Sequence, residues 1–204
     1  MSDALRFLLH LDEEAIRATS DLRWGPATWL LVLVSAWWVK GPLLVMVGWC
    51  VDLRCRRVFP LAAAAATMSF FVASPINYVL KDVVDRSRPP EAMGFDALVS
   101  VPGSPSFPSG HAMSAFAVAG ALAVVAPRLR WPVLGLAAVI AFSRVYLGVH
   151  FWVDVLVGSV LGLAIGLSVA WTLLRLTGGR VRQSRRDAVG MPAGAAGNQL
   201  RTVR

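Results

Sequence analysis

The sequence predicts an all-α membrane protein, a multi-pass bundle of five transmembrane helices, or six. Three observations predict it. Hydrophobic residues make up 56% of the 204 residues and charged residues only 16%, with mean hydropathy +0.62; a soluble domain of this length carries more charge. Apolar runs close to the roughly 20 residues that cross a bilayer as a helix recur along the chain. Basic residues gather in the short segments between those runs, where they set topology.

Met1 to Arg23 mixes Asp12, Glu13 and Glu14 with Arg6 and Arg17 and reads as a short amphipathic helix or surface segment. Without a basic start, an apolar run and a small-residue cleavage site, it does not read as a cleaved signal peptide. Ala27 to Val51 is apolar, holds Trp29, Trp37, Trp38 and Trp49, and is interrupted by Lys40-Gly41-Pro42. Each half is too short to cross alone, at about 1.5 Å per residue against a core of about 30 Å. One span, kinked or partly interfacial near Pro42, is therefore expected. Asp52 to Arg57 is a short basic loop. Val58 to Leu80 is the second span and delivers Lys81. Glu91 to Phe107 is a loop with Pro and Gly. Ser109 to Val125, rich in Ala and Gly, is the third span, suited to close helix approach. Pro127 to Arg130 is a second basic loop, Trp131 to Leu147 the fourth span with Arg144 near its end, and Phe151 to Leu174 the fifth, opened by His150 and Asp154. After Thr177 the chain loses periodicity and reads as a disordered tail. The boundaries are an amphipathic segment over 1–24, a transmembrane domain over 25–176 and a basic tail over 177–204.

The net charge of +8 raises the question of nucleic acid. Seven arginines against Asp187 in the last thirty residues account for most of it, and a basic tail after an apolar span marks the cytoplasmic side. With no aromatic interleaving and no folded basic domain, nucleic-acid binding is excluded. Cys50 and Cys55 are too few for a metal centre and read as apolar-tolerant cysteines.

Three polar stretches stand at the ends of apolar ones: Lys81 to Pro89, Pro108-Ser109-Gly110-His111, and Ser143 to Asp154. The first two bracket the connection between spans two and three, and the third lies between spans four and five. Both connections share one side of the membrane. The basic loops at 54–57 and 128–130 share the other, so the positive-inside rule puts the polar stretches on the extracytoplasmic face.

Ser109-Gly110-His111 opens a helix, whose free N–H groups and dipole favour an anion; an ordinary Ser-capped start explains the residues equally well. His150 and Asp154, four apart, share a helix face. A carboxylate on one imidazole nitrogen leaves the other as a nucleophile, and an interfacial His-Asp hydrogen bond is the competing reading. Arg88 and Arg144 offer forked donors for phosphate and Lys81 a point charge, though any one of them could be snorkelling to the interface. Asn77 either orients Lys81 or serves as a packing amide. Asp82 and Asp85 read as local charge partners of Arg86 rather than metal ligands, and His10 as a surface residue with no evident partner.

Taken together the three stretches resemble, in order and spacing, the motifs of the type 2 phosphatidic acid phosphatase superfamily: K-x-x-x-x-x-x-R-P, P-S-G-H and S-R-x-x-x-G-H-x-x-x-D. The third reads S-R-V-Y-L-G-V-H-F-W-V-D, with one extra residue between Gly148 and His150. With the spans, the resemblance covers about residues 27–174. It implies a helical-bundle phosphatase that needs no metal and no other cofactor. It also implies that His150 attacks phosphorus to form a phosphohistidine, Asp154 orients it and His111 protonates the leaving oxygen. Lys81, Arg88, Ser109, Gly110 and Arg144 would hold the phosphoryl oxygens.

The implied partner is a membrane lipid. A homo-oligomer is compatible with the pattern without being implied by it. Small bacterial members that act on undecaprenyl diphosphate look most similar in length and loop size, which places a polyprenyl diphosphate first. Phosphatidic acid or phosphatidylglycerophosphate comes second. From another class, a non-catalytic lipid-binding or lipid-transport protein would fit the spans, but the intact His150, Asp154 and His111 speak against it. Vanadium haloperoxidases share the constellation but are soluble.

Overall fold

The computed structural model describes residues 3–36, 42–54, 60–94 and 96–188. Every regular element among them is a helix: α1 (Asp3–Asp21), α2 (Gly25–Val34), α3 (Leu44–Arg54), α4 (Leu61–Val84), α5 (Pro89–Met93), α6 (Gly110–Val125), α7 (Arg130–Tyr146) and α8 (Trp152–Ala188). Leu61–Met93, Pro127–Tyr146 and Trp152–Gly178 are long and apolar enough to cross a bilayer, and Gly25–Val34 and Gly110–Val125 are shorter apolar helices. The expectations placed on Lys40, Gly41, Cys55, Arg56, Arg57 and the tail past Ala188 lie outside the described residues. Chain contacts divide the protein into Met1–Ala170 and Trp171–Arg204, and the site lies wholly in the first unit.

Two segments differ from expectation. The expected first span holds two described helices: α2 closes at Ser35, and from Pro42 the chain is helical again, one π-helical step leading into α3 at Leu44. Trp24 N, at the start of α2, donates to the Tyr146 hydroxyl at 2.8 Å, at the end of α7. At the end of α3, Asp52 accepts from Ala63 N at 2.8 Å, giving the first turn of α4 the side-chain acceptor that Pro60 cannot supply. The pair therefore runs from the C-terminal end of α7 to the N-terminal end of α4. The second difference is the tail. α8 continues to Ala188, past Thr177, because extending an existing helix adds a hydrogen bond per residue at little cost.

The middle of the bundle rests on small residues. Ala62, Ala65, Ala66 and Ala73 of α4 and Ala112, Ala115, Ala117 and Ala119 of α6 are fully buried. On α8, Gly158, Gly162 and Gly166 recur every four residues. A Cβ at Gly158 would lie 2.7 Å from Ser109 O, and Cβ atoms at Gly162 and Gly166 would fall on Met113 O and Ala117 O. The backbones of α6 and α8 thus touch along one stripe, as small-residue interfaces allow.

α1 is more than a surface element. Ile16 is fully buried in a cluster with Ala112, Ala141, Val145, Phe151 and Val155, and Thr19 accepts from Trp152 Nε1 at 3.0 Å. His10 is exposed, but it does have a partner, Glu14, at 3.6 Å.

Candidate active site

α4 and α7 end, and α6 and α8 begin, at the same end of the bundle. Gly148, at φ 78°, takes the left-handed turn that brings the chain from α7 back to His150, a conformation that favours glycine. The result is a cavity of about 210 Å³ whose lining includes Lys81, Arg88, Gly110, His111, Arg144 and His150. Three chain segments that the sequence keeps up to 69 residues apart, Lys81 to His150, therefore meet in one place. Ser109 and Asp154 are fully buried and are not part of the lining.

His150 is 2% exposed. Its Nε2 faces Arg88 Nη1 at 3.3 Å. A guanidinium only donates, so Nε2 is the acceptor and the neutral ring carries its proton on Nδ1. Burial, aided by Arg88 and Arg144 and opposed by Asp154, pushes the His150 pKa down to about 3. The imidazole is therefore neutral, and its Nε2 lone pair accepts from Arg88, which lines the same cavity.

Asp154 lies behind it, with Oδ2 3.6 Å from Nδ1, too long for a hydrogen bond. Ser106 fills the gap: its Oγ is 3.3 Å from His150 Nδ1 and donates to Asp154 Oδ2 at 2.5 Å. Phe151 N also donates to Oδ2, at 3.0 Å, and Arg86 Nη1 donates to Oδ1 at 2.6 Å. Arg86 Nη2 pairs with Asp12 Oδ2 at 2.8 Å, and its guanidinium lies 4.0 Å from the Phe151 ring centroid. Arg86 is thus partnered by Asp12 and Asp154. The expected partners, Asp82 and Asp85, are exposed, because Asp85 sits in the left-handed turn that ends α4 and directs the chain away from it.

The cations differ in how committed they are. Arg88 donates from Nε to Ser104 O at 2.8 Å and from Nη1 to Val149 O at 2.8 Å. Its Nη2 reaches Ser104 Oγ and Pro105 O, each at 3.3 Å. Its fork is thus occupied by the loop before α6 and by the turn before α8. Lys81 Nζ donates to Pro105 O. Arg144 Nη1 bonds Ser35 Oγ, and its buried Nε has no partner among the described residues. The Ser109 hydroxyl is likewise buried and unpartnered, so Ser109 stands at the N-cap position without a side-chain cap bond. Asn77 serves as a packing amide. Its Nδ2 donates to Pro108 O at 3.1 Å, and a Cβ on Gly110 would lie 2.8 Å from its Oδ1, so it fixes the start of α6.

Ser106, Arg86 and Asp12 are the site residues that sequence reasoning missed. Ser106 stands three residues before Ser109, near enough for an eye on that motif to consider it. Nothing in the sequence pairs Asp12 with a residue 74 positions away.

Residues 58–177 match the PAP2 superfamily, more than half of the chain. The protein belongs to that superfamily of membrane lipid phosphatases, the one its motifs resemble. Over 144 residues it is 38% identical to the decaprenylphosphoryl-5-phosphoribose phosphatase of Mycobacterium tuberculosis, covering 71% of this chain and 75% of that protein. It is 36% identical to an undecaprenyl-diphosphatase of Sulfolobus acidocaldarius over 98 residues, 47% of each chain. Among solved structures, the transmembrane PAP2-type phosphatidylglycerolphosphate phosphatase from Bacillus subtilis superposes with a TM-score of 0.64 at 27% identity, covering 87% of this chain and 88% of that one.

Proposed function

We propose that the 25–176 domain hydrolyses a phosphate carried by a long-chain polyprenyl lipid on the extracytoplasmic face of the cell membrane, through a phosphohistidine and without a metal ion. One observation carries this reading: a neutral, buried His150, its Nε2 accepting from Arg88, lines a cavity that also holds His111, Lys81 and Arg144. Phosphorus approaches Nε2 and the N–P bond forms as the P–O bond to the leaving group breaks. His111 supplies the proton that the leaving oxygen takes. The Gly110 end of α6, Lys81 and the spare donors of Arg144 hold the growing negative charge. Water, deprotonated by His111, then releases phosphate and restores the imidazole.

The leading substrate is a polyprenyl diphosphate cleaved to the monophosphate, because the cluster of cations suits several negative charges. A second reading is a phosphate monoester on a sugar carried by a polyprenyl phosphate. Two observations favour it: the Mycobacterium tuberculosis relative acts, by its name, on such a lipid, and Ser74, Tyr78 and Ser114 add neutral hydroxyls to the same cavity.

Phosphate release from undecaprenyl diphosphate, decaprenylphosphoryl-5-phosphoribose, phosphatidic acid and phosphatidylglycerophosphate, in one detergent at matched surface concentration, separates these. Tenfold higher kcat/KM for either polyprenyl lipid over both glycerophospholipids is expected. A tenfold preference the other way removes the polyprenyl reading. Activity should survive EDTA and fall with vanadate, and a strict magnesium requirement restored by adding the ion back would count against the mechanism.

A further inference from the structure

We propose that Ser106 is the hydroxyl through which Asp154 acts on the nucleophile, and that Arg86, held by Asp12 of α1, sets the position of that carboxylate. All three are then positioning residues at places the motifs leave unspecified. The inference rests on the phosphohistidine reading above.

The distances carry it. A direct bond from His150 Nδ1 to Asp154 Oδ2 would span 3.6 Å, whereas Ser106 Oγ stands 3.3 Å from the first and 2.5 Å from the second. Proton direction is fixed at both ends. Arg88 makes Nε2 the acceptor, so Nδ1–H donates to Ser106 Oγ, and Ser106 O–H donates to the carboxylate. Ser106 is fully buried and is itself fixed, since its backbone N–H donates to Arg86 O at 2.7 Å. A single residue, Arg86, thus holds the Ser106 backbone through its carbonyl and the Asp154 carboxylate through its guanidinium.

Asp12 completes the arrangement. It is 4% exposed, accepts from Arg86 Nη2 at 2.8 Å through Oδ2, and accepts from Val153 N at 3.1 Å through Oδ1. α1 therefore grips both Arg86 and the first turn of α8, one residue from Asp154. Without Asp12 the Arg86 guanidinium would keep one anionic partner and lose the second point that fixes its plane.

The arrangement bears on the covalent step. As the N–P bond forms at Nε2 the ring becomes cationic while Nδ1 keeps its proton. The carboxylate offsets that charge through a hydrogen bond to Ser106 whose other end is on the ring. No proton leaves the Nδ1–Ser106–Asp154 chain in this step.

The test uses the full-length protein in detergent with farnesyl diphosphate or dioctanoyl phosphatidic acid, whichever the wild type turns over. Wild-type turnover and its absence in His150→Ala establish the underlying reading, and inactivity of the wild type on both probes would instead be a failure of that reading. With it established, Ser106→Ala should lower kcat about 10- to 100-fold, the order that a misplacement of about 1 Å costs, with KM within threefold. In a cycle with Asp154→Asn, the double variant should be no slower than the slower single variant, because both act along one route. Asp12→Asn should lower kcat severalfold with KM unchanged. Multiplying losses in the cycle, or wild-type kcat in Ser106→Ala, overturn the role of Ser106. If Ser106→Ala fails to fold, as read from its thermal midpoint, Asp12→Asn decides: kcat within twofold of wild type overturns the proposal.

Discussion

His150 shows how one residue's surroundings set its chemistry. Buried beside two arginines, it stays neutral where an exposed histidine would titrate. Its folded-state pKa of about 3 lies below the ordinary value of about 6.5. As pH falls, the unfolded chain therefore takes up the proton first. The stability tied to this residue is complete above about pH 6.5 and is lost progressively toward pH 3. Between pH 7.5 and 5 the thermal midpoint of the wild type should fall further than that of His150→Ala, and equal falls would contradict a neutral buried ring. His150→Ala should also abolish turnover and 32P labelling of the protein while leaving it folded, and near-wild-type activity would sink the mechanism. His150, Asp154, His111 and the cations were legible in the sequence because their side-chain types and spacing carry chemistry. Ser106 and Asp12 were not, since a serine in a loop and an aspartate in an amphipathic helix look ordinary until folding supplies their partners.

At the scale of elements, the spans at Leu61, Pro127 and Trp152 could be read from hydropathy, because lipid imposes a length and an apolarity that sequence displays directly. What hydropathy does not register is where a helix stops inside an apolar run. α2 ends at Ser35, whose hydroxyl is taken by Arg144, so the break serves a side chain from another helix. The glycines of α8 were equally silent, since their importance depends on α6 lying against them. Gly162→Leu places a side chain on Met113 O. Overpacking of this kind costs about 1 to 3 kcal/mol or more, and here it must also shift α6, whose first turn holds Gly110 and His111. The variant should show a lower thermal midpoint in detergent together with reduced kcat. Gly135→Ala, in open space on α7, should leave kcat unchanged and keep or slightly raise the midpoint, since Ala favours a helix interior over Gly. Full activity of Gly162→Leu at an unchanged midpoint would show that the helices do not approach so closely.

For the whole molecule, the chain direction of each helix decides where the chemistry faces. α4 and α7 run toward the site, while α6 and α8 run away from it. The short connection Pro127–Leu129, which holds Arg128 and is followed by Arg130, therefore lies at the end opposite His150. That opposition follows from the order of the helices. Which end meets the cytoplasm rests on the arginines alone, through the asymmetry with which basic loops resist translocation. Cysteine labelling in intact cells tests it. In a background with Cys50 and Cys55 replaced by serine, Ser100→Cys, exposed in the loop before α6, should react with an impermeant maleimide. Leu129→Cys should react only after the cells are opened. The reversed pattern would put the cavity in the cytoplasm. The site geometry would stand, but the substrate would have to be a lipid whose phosphate is exposed on the inner leaflet, and a carrier lipid discharged outside would no longer fit.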